Sequence, residues 1–315
     1  RPCRRAGRDA VMLSRALARA LLALLWLLHL LPLAPQAMLG GALGRVLYTL
    51  ARERRRISAR NVQLCLPELT PLQRRDLLRA HFRWLGRSAV ERALLWYGSP
   101  SRLRRLIHVE GDVHFAERSE RPVMWLVPHF VALEAAGMAT QLFQSRPVVS
   151  IYQAQSHPVF DEAMRRGRSR FGRGELFSRA DTARPLVRAI RRGHAFFNLP
   201  DMDFGLKDAA FVPFFGVPAA TLLAPSRMAR TLGMVVQPVV AQILPGGRGY
   251  RVQFLPPWTD WPSDDPLDDA RRMNQWIEAA VRADPAQYLW VHKRFKTRPP
   301  GEPDLYAAQA DVPWR

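Results

Sequence analysis

Two histidines in this 315-residue chain sit five positions ahead of a glutamate, His129 before Glu134 and His157 before Glu162. A carboxylate that accepts one imidazole N–H fixes the tautomer and stabilises the imidazolium formed when the other nitrogen takes a proton. The pair is therefore general-base equipment for activating a hydroxyl nucleophile. Spacing alone does not choose between the pairs, because eight histidines give such a pattern ample chance to arise. Context favours His129. It follows the apolar run VMWLV (123–127) across Pro128 and precedes the amphipathic stretch FVALEAAGMATQLF. A strand end leading into a helix start is where site residues gather in open α/β folds. Along a continuous helix the two side chains would diverge, so the expectation places His129 outside the helix and Glu134 in its first turns. His157, in the polar approach QAQSHPVFDE, is assigned a positioning role at most.

Other residues offer rival or supporting chemistry. Asp201 and Asp203 in DMDFG follow the apolar run AFFNLP; an Asp-x-Asp there could hold a divalent cation on a nucleotide-sugar diphosphate, as in glycosyltransferases. No glycine-rich phosphate loop accompanies it, and the aspartates could equally pair with arginines and shape a turn. GRSRFGRG (167–174) carries Arg168, Arg170 and Arg173 on a basic stretch suited to phosphate groups. FVPFFGVPAAT (211–221) is too apolar for an exposed loop, so Phe211, Phe214 and Phe215 belong to the core or to the wall of a hydrophobic pocket.

The elements that must carry these residues can be read from periodicity. Short runs at 123–127, 148–152, 195–199, 234–243 and 250–255 alternate with helical stretches at 130–143, 182–192, 222–232 and 267–283. That alternation predicts an α/β fold with a mostly parallel central sheet flanked by helices. From residue 57 to about 107 the pattern is helical, and a Pro-rich tail from Thr297 is expected to wrap the surface. Residues 20–35 read ALLALLWLLHLLPLAP. The run is short for a straight span, lacks a convincing signal-peptide cleavage site, and has arginines on both sides: Arg15 and Arg19 before it, Arg45 and Arg52 after it. A membrane-associating helix in the interface, or a re-entrant hairpin turning at 32–35, satisfies both flanks; a buried core helix is the alternative. The expected division is a membrane-associating segment over 1–51, a catalytic domain over 52–306 and a tail over 307–315.

Lys+Arg number 47 against 27 Asp+Glu, a net charge of +20. Such an excess attracts polyanions, although with only three lysines the arginine bias is also what a GC-rich genome produces. Cys3 and Cys65 form no metal or disulfide pattern.

In order along the chain, RRRISARNVQLCLPELT, PHFVALE, SHPVFD, GRSRFG, DMDFG, FVPFFGVPAAT and QYLWVHKRFKTRPPGEPDLY resemble the lipid A biosynthesis acyltransferases, the lauroyl and myristoyl transferases of the wider lysophospholipid acyltransferase superfamily. The match covers roughly 52–306, and the apolar N-terminal segment also fits. The resemblance implies a glycerolphosphate-acyltransferase-like fold and transfer of a fatty acyl group from acyl carrier protein to a hydroxyl of a Kdo-bearing lipid A precursor. It implies the bacterial inner membrane, with the catalytic domain on its cytoplasmic face, and anionic lipids, the carrier protein and the lipid precursor as partners, with no nucleic acid. It implies no metal or other cofactor. By position, His129 would be the base and Glu134 its partner; Arg168, Arg170 and Asp203 would serve substrate or oxyanion binding, and Asp201 positioning. Met202 departs from the aromatic or amide that the family more often shows between the aspartates. A metal-dependent glycosyltransferase using Asp201 and Asp203, another lipid O-acyltransferase, and a non-enzymatic basic membrane binder are the competing readings.

Overall fold

The computed structural model describes residues 2–180 and 183–307. The chain opens with helices α1 (Pro2–Leu28), α2 (Leu33–Leu50), α3 (Arg52–Cys65), α4 (Pro71–Tyr97) and α5 (Pro100–Leu106), followed by strand β1 (Ile107–Gly111) and the short α6 (Phe115–Arg118). Then come β2 (Val123–Leu126), α7 (Leu133–Leu142), β3 (Val148–Tyr152), α8 (Pro158–Arg168), β4 (Gly174–Ser178), α9 (Ala183–Arg191) and β5 (Ala195–Asn198). A hairpin of β6 (Ala209–Phe214) and β7 (Val217–Leu222), helix α10 (Ala224–Thr231), strands β8 (Val235–Ile243) and β9 (Tyr250–Phe254) and helix α11 (Pro266–Ala283) complete it.

Seven strands form one sheet in the order β1-β9-β8-β2-β5-β3-β4. Every neighbouring pair is parallel except β8 with β9. The α/β architecture with a mostly parallel sheet therefore stands as expected. β2 is buried at all four positions, as a central parallel strand covered on both faces must be. Val123 and Trp125 enter the core shared with α4 and α7; Met124 and Leu126 enter the core shared with α9 and α11.

Three elements depart from the expected pattern. The helical stretch ends at Leu106, where β1 begins. Gly174, the last residue of the basic stretch, opens the edge strand β4, which the pattern did not indicate. The apolar segment 211–221 is a hairpin whose two-residue turn puts Phe215 at φ 51° and Gly216 at φ 76°, the conformation that closes tight antiparallel turns. The C-terminal segment also does more than wrap the surface: Tyr306 is buried and its hydroxyl receives the backbone N–H of Phe295. The expected tail lies, but for Ala307, outside the described residues.

No helix among the described residues is long and apolar enough to cross a membrane. α1 and α2 both pack on α4, and the connection between them is pinned by Arg102, which donates to the carbonyls of His29 and Leu31. α2 is no appendage, so the expected boundary after residue 51 falls inside a packed unit. Its Gly40 and Gly44 lie against α4 so closely that a Cβ on Gly44 would stand 2.2 Å from the Phe82 carbonyl oxygen, and one on Gly86 2.3 Å from that of Gly40. α4 is started by a capping box, Thr70 with Gln73, and by Pro71.

Gly86→Leu is expected to cost roughly 2–3 kcal/mol by overpacking this seam, whereas Gly41→Ala, whose added Cβ meets nothing within 4 Å, leaves the urea midpoint unchanged or slightly raised. Equal midpoints for the two variants would contradict the seam. His81 on α4 is fully buried, its Nδ1 3.2 Å from the Ala286 carbonyl oxygen. Burial pushes its pKa down to about 4, while the unfolded imidazole protonates near ~6.5. Between those values the unfolded chain binds the extra proton. His81 thus costs nothing above ~6.5 and removes stability progressively as pH falls toward about 4, by at most about 1.4 kcal/mol per pH unit. Thermal midpoints from pH 7.5 to 4.5 should fall less steeply in His81→Gln; identical slopes would refute the assignment.

Candidate active site

β2 and β5 are parallel neighbours paired in register at Leu126 with Asn198, the last residue of each strand. His129 lies three residues past the first strand and Asp201 three past the second, so the register delivers both to one point at the carboxyl end of the sheet. The Val127 N–H donates to the Asn198 carbonyl, extending the pairing one step further (2.9 Å). There the Asp201 carboxylate takes two bonds from the same residue: its Oδ1 lies 2.6 Å from His129 Nδ1 and its Oδ2 accepts the His129 backbone N–H at 2.8 Å. The side chain of Asp201 is 1% exposed and that of His129 15%. Burial acts to raise the Asp201 pKa, but the charge of His129 and the two bonds hold it below the ordinary carboxylate value. With Nδ1–H committed to an anion, Nε2 is the nitrogen left to exchange a proton.

A C-terminal strap over residues 288–306 fastens the dyad from outside. The Leu289 N–H donates to the His129 carbonyl at 2.9 Å. Asn61 on α3 donates to the carbonyls of Trp290 and His292, both at 2.7 Å, and accepts the Tyr306 hydroxyl at 2.5 Å. Asp203 serves this strap: its carboxylate accepts from the Thr297 N–H (2.6 Å), the Thr297 hydroxyl (2.8 Å) and the Gly205 N–H (2.9 Å). The Asp203 N–H donates to His292 Nε2 at 3.1 Å. Burial, and next the charge of His129, push the His292 pKa down to about 4, which keeps that acceptor nitrogen unprotonated. Asp203, expected to serve substrate or oxyanion binding, is placed here with its carboxylate bonded to Thr297 of the strap and to Gly205. The two aspartates also face different partners and present no shared cation seat; among the described residues no group of three or more His, Cys, Asp and Glu converges.

Glu134 does not meet His129. It sits on the first turn of α7, and its carboxylate is gripped by Arg168, with Nε at 3.0 Å and Nη2 at 2.5 Å from Oε1, while Oε2 accepts the Trp96 indole N–H at 3.1 Å. Burial opposes ionisation, but Arg168 and then Arg92 draw the Glu134 pKa down to about 2. The guanidinium of Arg92 stacks over Trp96. The expected His129–Glu134 pair is thereby replaced by two pairs, His129 with Asp201 and Glu134 with Arg168. The physical reason is direction: the first turn of α7 faces α4 and α8, while Asp201 approaches His129 along the neighbouring strand.

Arg170 is likewise elsewhere. It donates to the carbonyls of Leu95 (3.1 Å) and Gly98 (2.5 Å) at the end of α4 and stacks on Phe171. His157, next to the start of α8, has its Nε2 3.2 Å from the Ser14 hydroxyl of α1 and does not line the crevice around the dyad. Of the three phenylalanines, Phe214 is fully buried and lines the crevice that holds His129 and Asp201. Phe215 occupies the hairpin turn beneath Arg282, its N–H donating to Glu278 at 2.7 Å. Phe211 lies on β6 and does not line that crevice. Sequence reasoning missed Tyr288, His292 and Arg294, all of which line it. The run VHKRFK offered a signal, since two of these residues lie within it.

A family model described as bacterial lipid A biosynthesis acyltransferase matches residues 7–297. The lipid A biosynthesis lauroyltransferase of Escherichia coli (strain K12) is 32% identical over 285 residues, covering 90% of this chain and 92% of that protein. The palmitoleoyltransferase of the same strain is 32% identical over 288 residues, covering 90% and 92%. Its myristoyltransferase is 31% identical over 268 residues, covering 84% and 82%. The matched span contains the histidine–aspartate dyad, the glutamate–arginine pair and most of the strap, and on that extent of likeness the chain belongs to the bacterial lipid A biosynthesis acyltransferases.

Proposed function

We propose that this enzyme transfers a fatty acyl group from the thioester of an acyl carrier protein to a hydroxyl of a Kdo-bearing lipid A precursor, with His129 as general base. The observation that carries the mechanism is the Nδ1 bond from His129 to buried Asp201. His129 Nε2 removes the proton of the acceptor hydroxyl as its oxygen attacks the thioester carbonyl. The tetrahedral adduct expels the thiolate, which recovers the proton from the imidazolium. Asp201 stays ionised throughout and stabilises the charged intermediate. The reaction needs no acyl-enzyme. Cys65, which lines the crevice beside the dyad, is buried, and burial pushes its pKa far up, which suits packing and not nucleophilic attack. It needs neither a metal nor another cofactor.

The enzyme works, on this reading, against the cytoplasmic face of the inner membrane. Leu13, Leu17, Leu21, Leu24 and Leu27 are exposed along one side of α1, and Met38, Leu39, Leu43, Val46 and Leu50 are exposed on α2. An apolar surface of this extent bordered by Arg15, Arg19, Arg45 and Arg52 suits helices lying in an anionic bilayer interface. That seat supports an interfacial attachment over a straight span.

Purified protein, carrier-protein thioester and Kdo-lipid A precursor, assayed by mass spectrometry, should give one added acyl group. His129→Ala should reduce the rate by about 10²–10⁴-fold, and near-normal transfer by it would overturn the mechanism. The two carboxylates separate by kind of effect. Asp201→Asn keeps shape and loses charge, so kcat should fall by roughly 10²–10⁴-fold. Glu134→Gln leaves the half-buried Arg168 against a neutral amide; it should cost roughly 1–3 kcal/mol of stability and lower kcat less than Asp201→Asn does. A larger loss of kcat in Glu134→Gln than in Asp201→Asn would reverse the assignment.

A further inference from the structure

The loop after β5 reaches two histidines. Its Asp201 carboxylate accepts from His129 Nδ1 at 2.6 Å, and its Asp203 backbone N–H donates to His292 Nε2 at 3.1 Å. The two contacts have opposite sense. A neutral imidazole carries one N–H and one lone pair, on different nitrogens. Asp201 engages the N–H of His129 and leaves a lone pair on Nε2. Asp203 engages the lone pair of His292 and leaves an N–H on Nδ1. One short loop thus presents a base and a hydrogen-bond donor on two rings that line the same crevice. The donor is unspent, since His292 Nδ1 has no hydrogen-bond partner among the described residues and is not sealed inside the protein.

Rigidity and charge suit this donor to its place. The His292 carbonyl accepts from Asn61 at 2.7 Å and from the Arg294 N–H at 3.0 Å. Its own N–H reaches the Leu289 carbonyl at 3.4 Å, and the Leu289 N–H donates to the His129 carbonyl at 2.9 Å. One turn of the strap therefore ties the two histidines to each other. Burial, and next the charge of His129, push the His292 pKa down to about 4. Near neutral pH the ring keeps its single proton and does not compete for the one that His129 takes. The crevice has room of about 10 Å³, roughly that of one water, which seats an atom and not a chain. The guanidinium groups to which oxyanion binding was expected to fall are spent elsewhere, Arg168 on Glu134 and Arg170 on the end of α4. Arg294, in the crevice wall, is spent on Ala220 and Thr221.

We propose that His292 is a second catalytic residue, donating its Nδ1–H to the oxygen of the thioester carbonyl as that oxygen becomes an oxyanion. The proposal rests on the acyl-transfer reading above. As the acceptor hydroxyl oxygen bonds to the carbonyl carbon, the carbonyl electron pair moves onto oxygen and the hydrogen bond from Nδ1 strengthens against it. The pair returns as the C–S bond breaks, and the His292 proton stays on its ring throughout. A donor fixed before the charge develops needs no reorganisation when it forms. Asp203 acquires a positioning role, exerted on His292 through its backbone N–H.

His292→Gln keeps an acceptor within reach of the Asp203 N–H and removes the donor at Nδ1. With a dodecanoyl thioester of acyl carrier protein its kcat should fall by about 10²–10³-fold. The dodecanoyl dithioester, in which sulfur replaces the carbonyl oxygen, separates a donor from a merely structural residue. Sulfur accepts hydrogen bonds weakly, so the variant loses less there, and the oxygen-to-sulfur ratio of kcat should fall by at least about 10-fold. Equal losses with the two donors, or no loss with either, overturn the proposal. The ring itself gives a second readout. In protein carrying nitrogen-15-labelled histidines, the ring signal that His292→Gln abolishes should show a neutral imidazole protonated at Nδ1 near neutral pH. Carrier protein bearing an unreactive, amide-linked dodecanoyl chain should then move it. A ring protonated at Nε2, a charged ring, or a signal that the amide leaves unmoved overturns the proposal. Should the unaltered protein transfer no acyl group, the proposed function fails, and the labelled ring decides by itself whether His292 meets the carbonyl.

Discussion

A buried carboxylate facing one nitrogen of a half-sheltered imidazole is the contact around which this enzyme is arranged. An anion with 1% of its side chain exposed must be matched by charge and by hydrogen bonds, or burial would neutralise it. Asp201 is matched by the ring and backbone of the same residue, which fixes His129 in position and in tautomer at once. That arrangement requires two loops to arrive at one place with tolerances of a few tenths of an ångström. Parallel pairing of β2 with β5 sets the distance. The strap sets the angle through Leu289, and α3 holds the strap through Asn61. Asp203 contributes at one remove, by anchoring Thr297 and by placing its N–H on His292.

Much of the frame was legible in the chain, because buried parallel strands are written as unbroken apolar runs. VMWLV, VVSIY and AFFNL each became strands within a residue of their expected ends. The site was legible only in part, and the reason is the difference between sequence distance and register. His129 announces itself by standing between a strand and a helix. The partner of His129 does not, since which strand lies beside β2 is decided by the crossover order and not by local spacing. Glu134 lies five residues away yet faces another layer; Asp201 lies 72 residues away and is adjacent. Elements that do not read as buried strands were also hidden. β4 is half-buried at every position, and the β6–β7 hairpin carries Pro213 opposite Pro218, a residue type that a central strand does not tolerate.

The N-terminal helices show how one sequence feature served two purposes. Glycines that would weaken a free helix allow α2 to lie directly on the backbone of α4, leaving Met38, Leu39, Leu43 and Leu50 on the outer side. α1 follows a similar division, with Ala18 buried and the exposed leucines facing away. The apolar surface is thus rigidly tied to the helix whose far end bears Trp96, a partner of Glu134. Through α4 the orientation of that surface and the position of the Glu134 contact are fixed together.

The arginine excess reads differently once the side chains are placed. A strong positive balance suggests attraction to polyanions, yet many of these guanidinium groups are consumed internally by backbone carbonyls. Arg146 donates to the carbonyls of Gly193, Ala116 and Ser119, Arg121 to that of Gly233, and Arg170 to the end of α4. Arg294, buried in the crevice wall, donates to the Ala220 carbonyl and the Thr221 hydroxyl. A planar fork with five donors spread over three nitrogens can satisfy several carbonyls that a helix or strand end leaves open. The charge that suggested partners is in part a structural device. The subset beside the apolar helices is used differently, since Arg45 and Arg52 make no ion pair among the described residues.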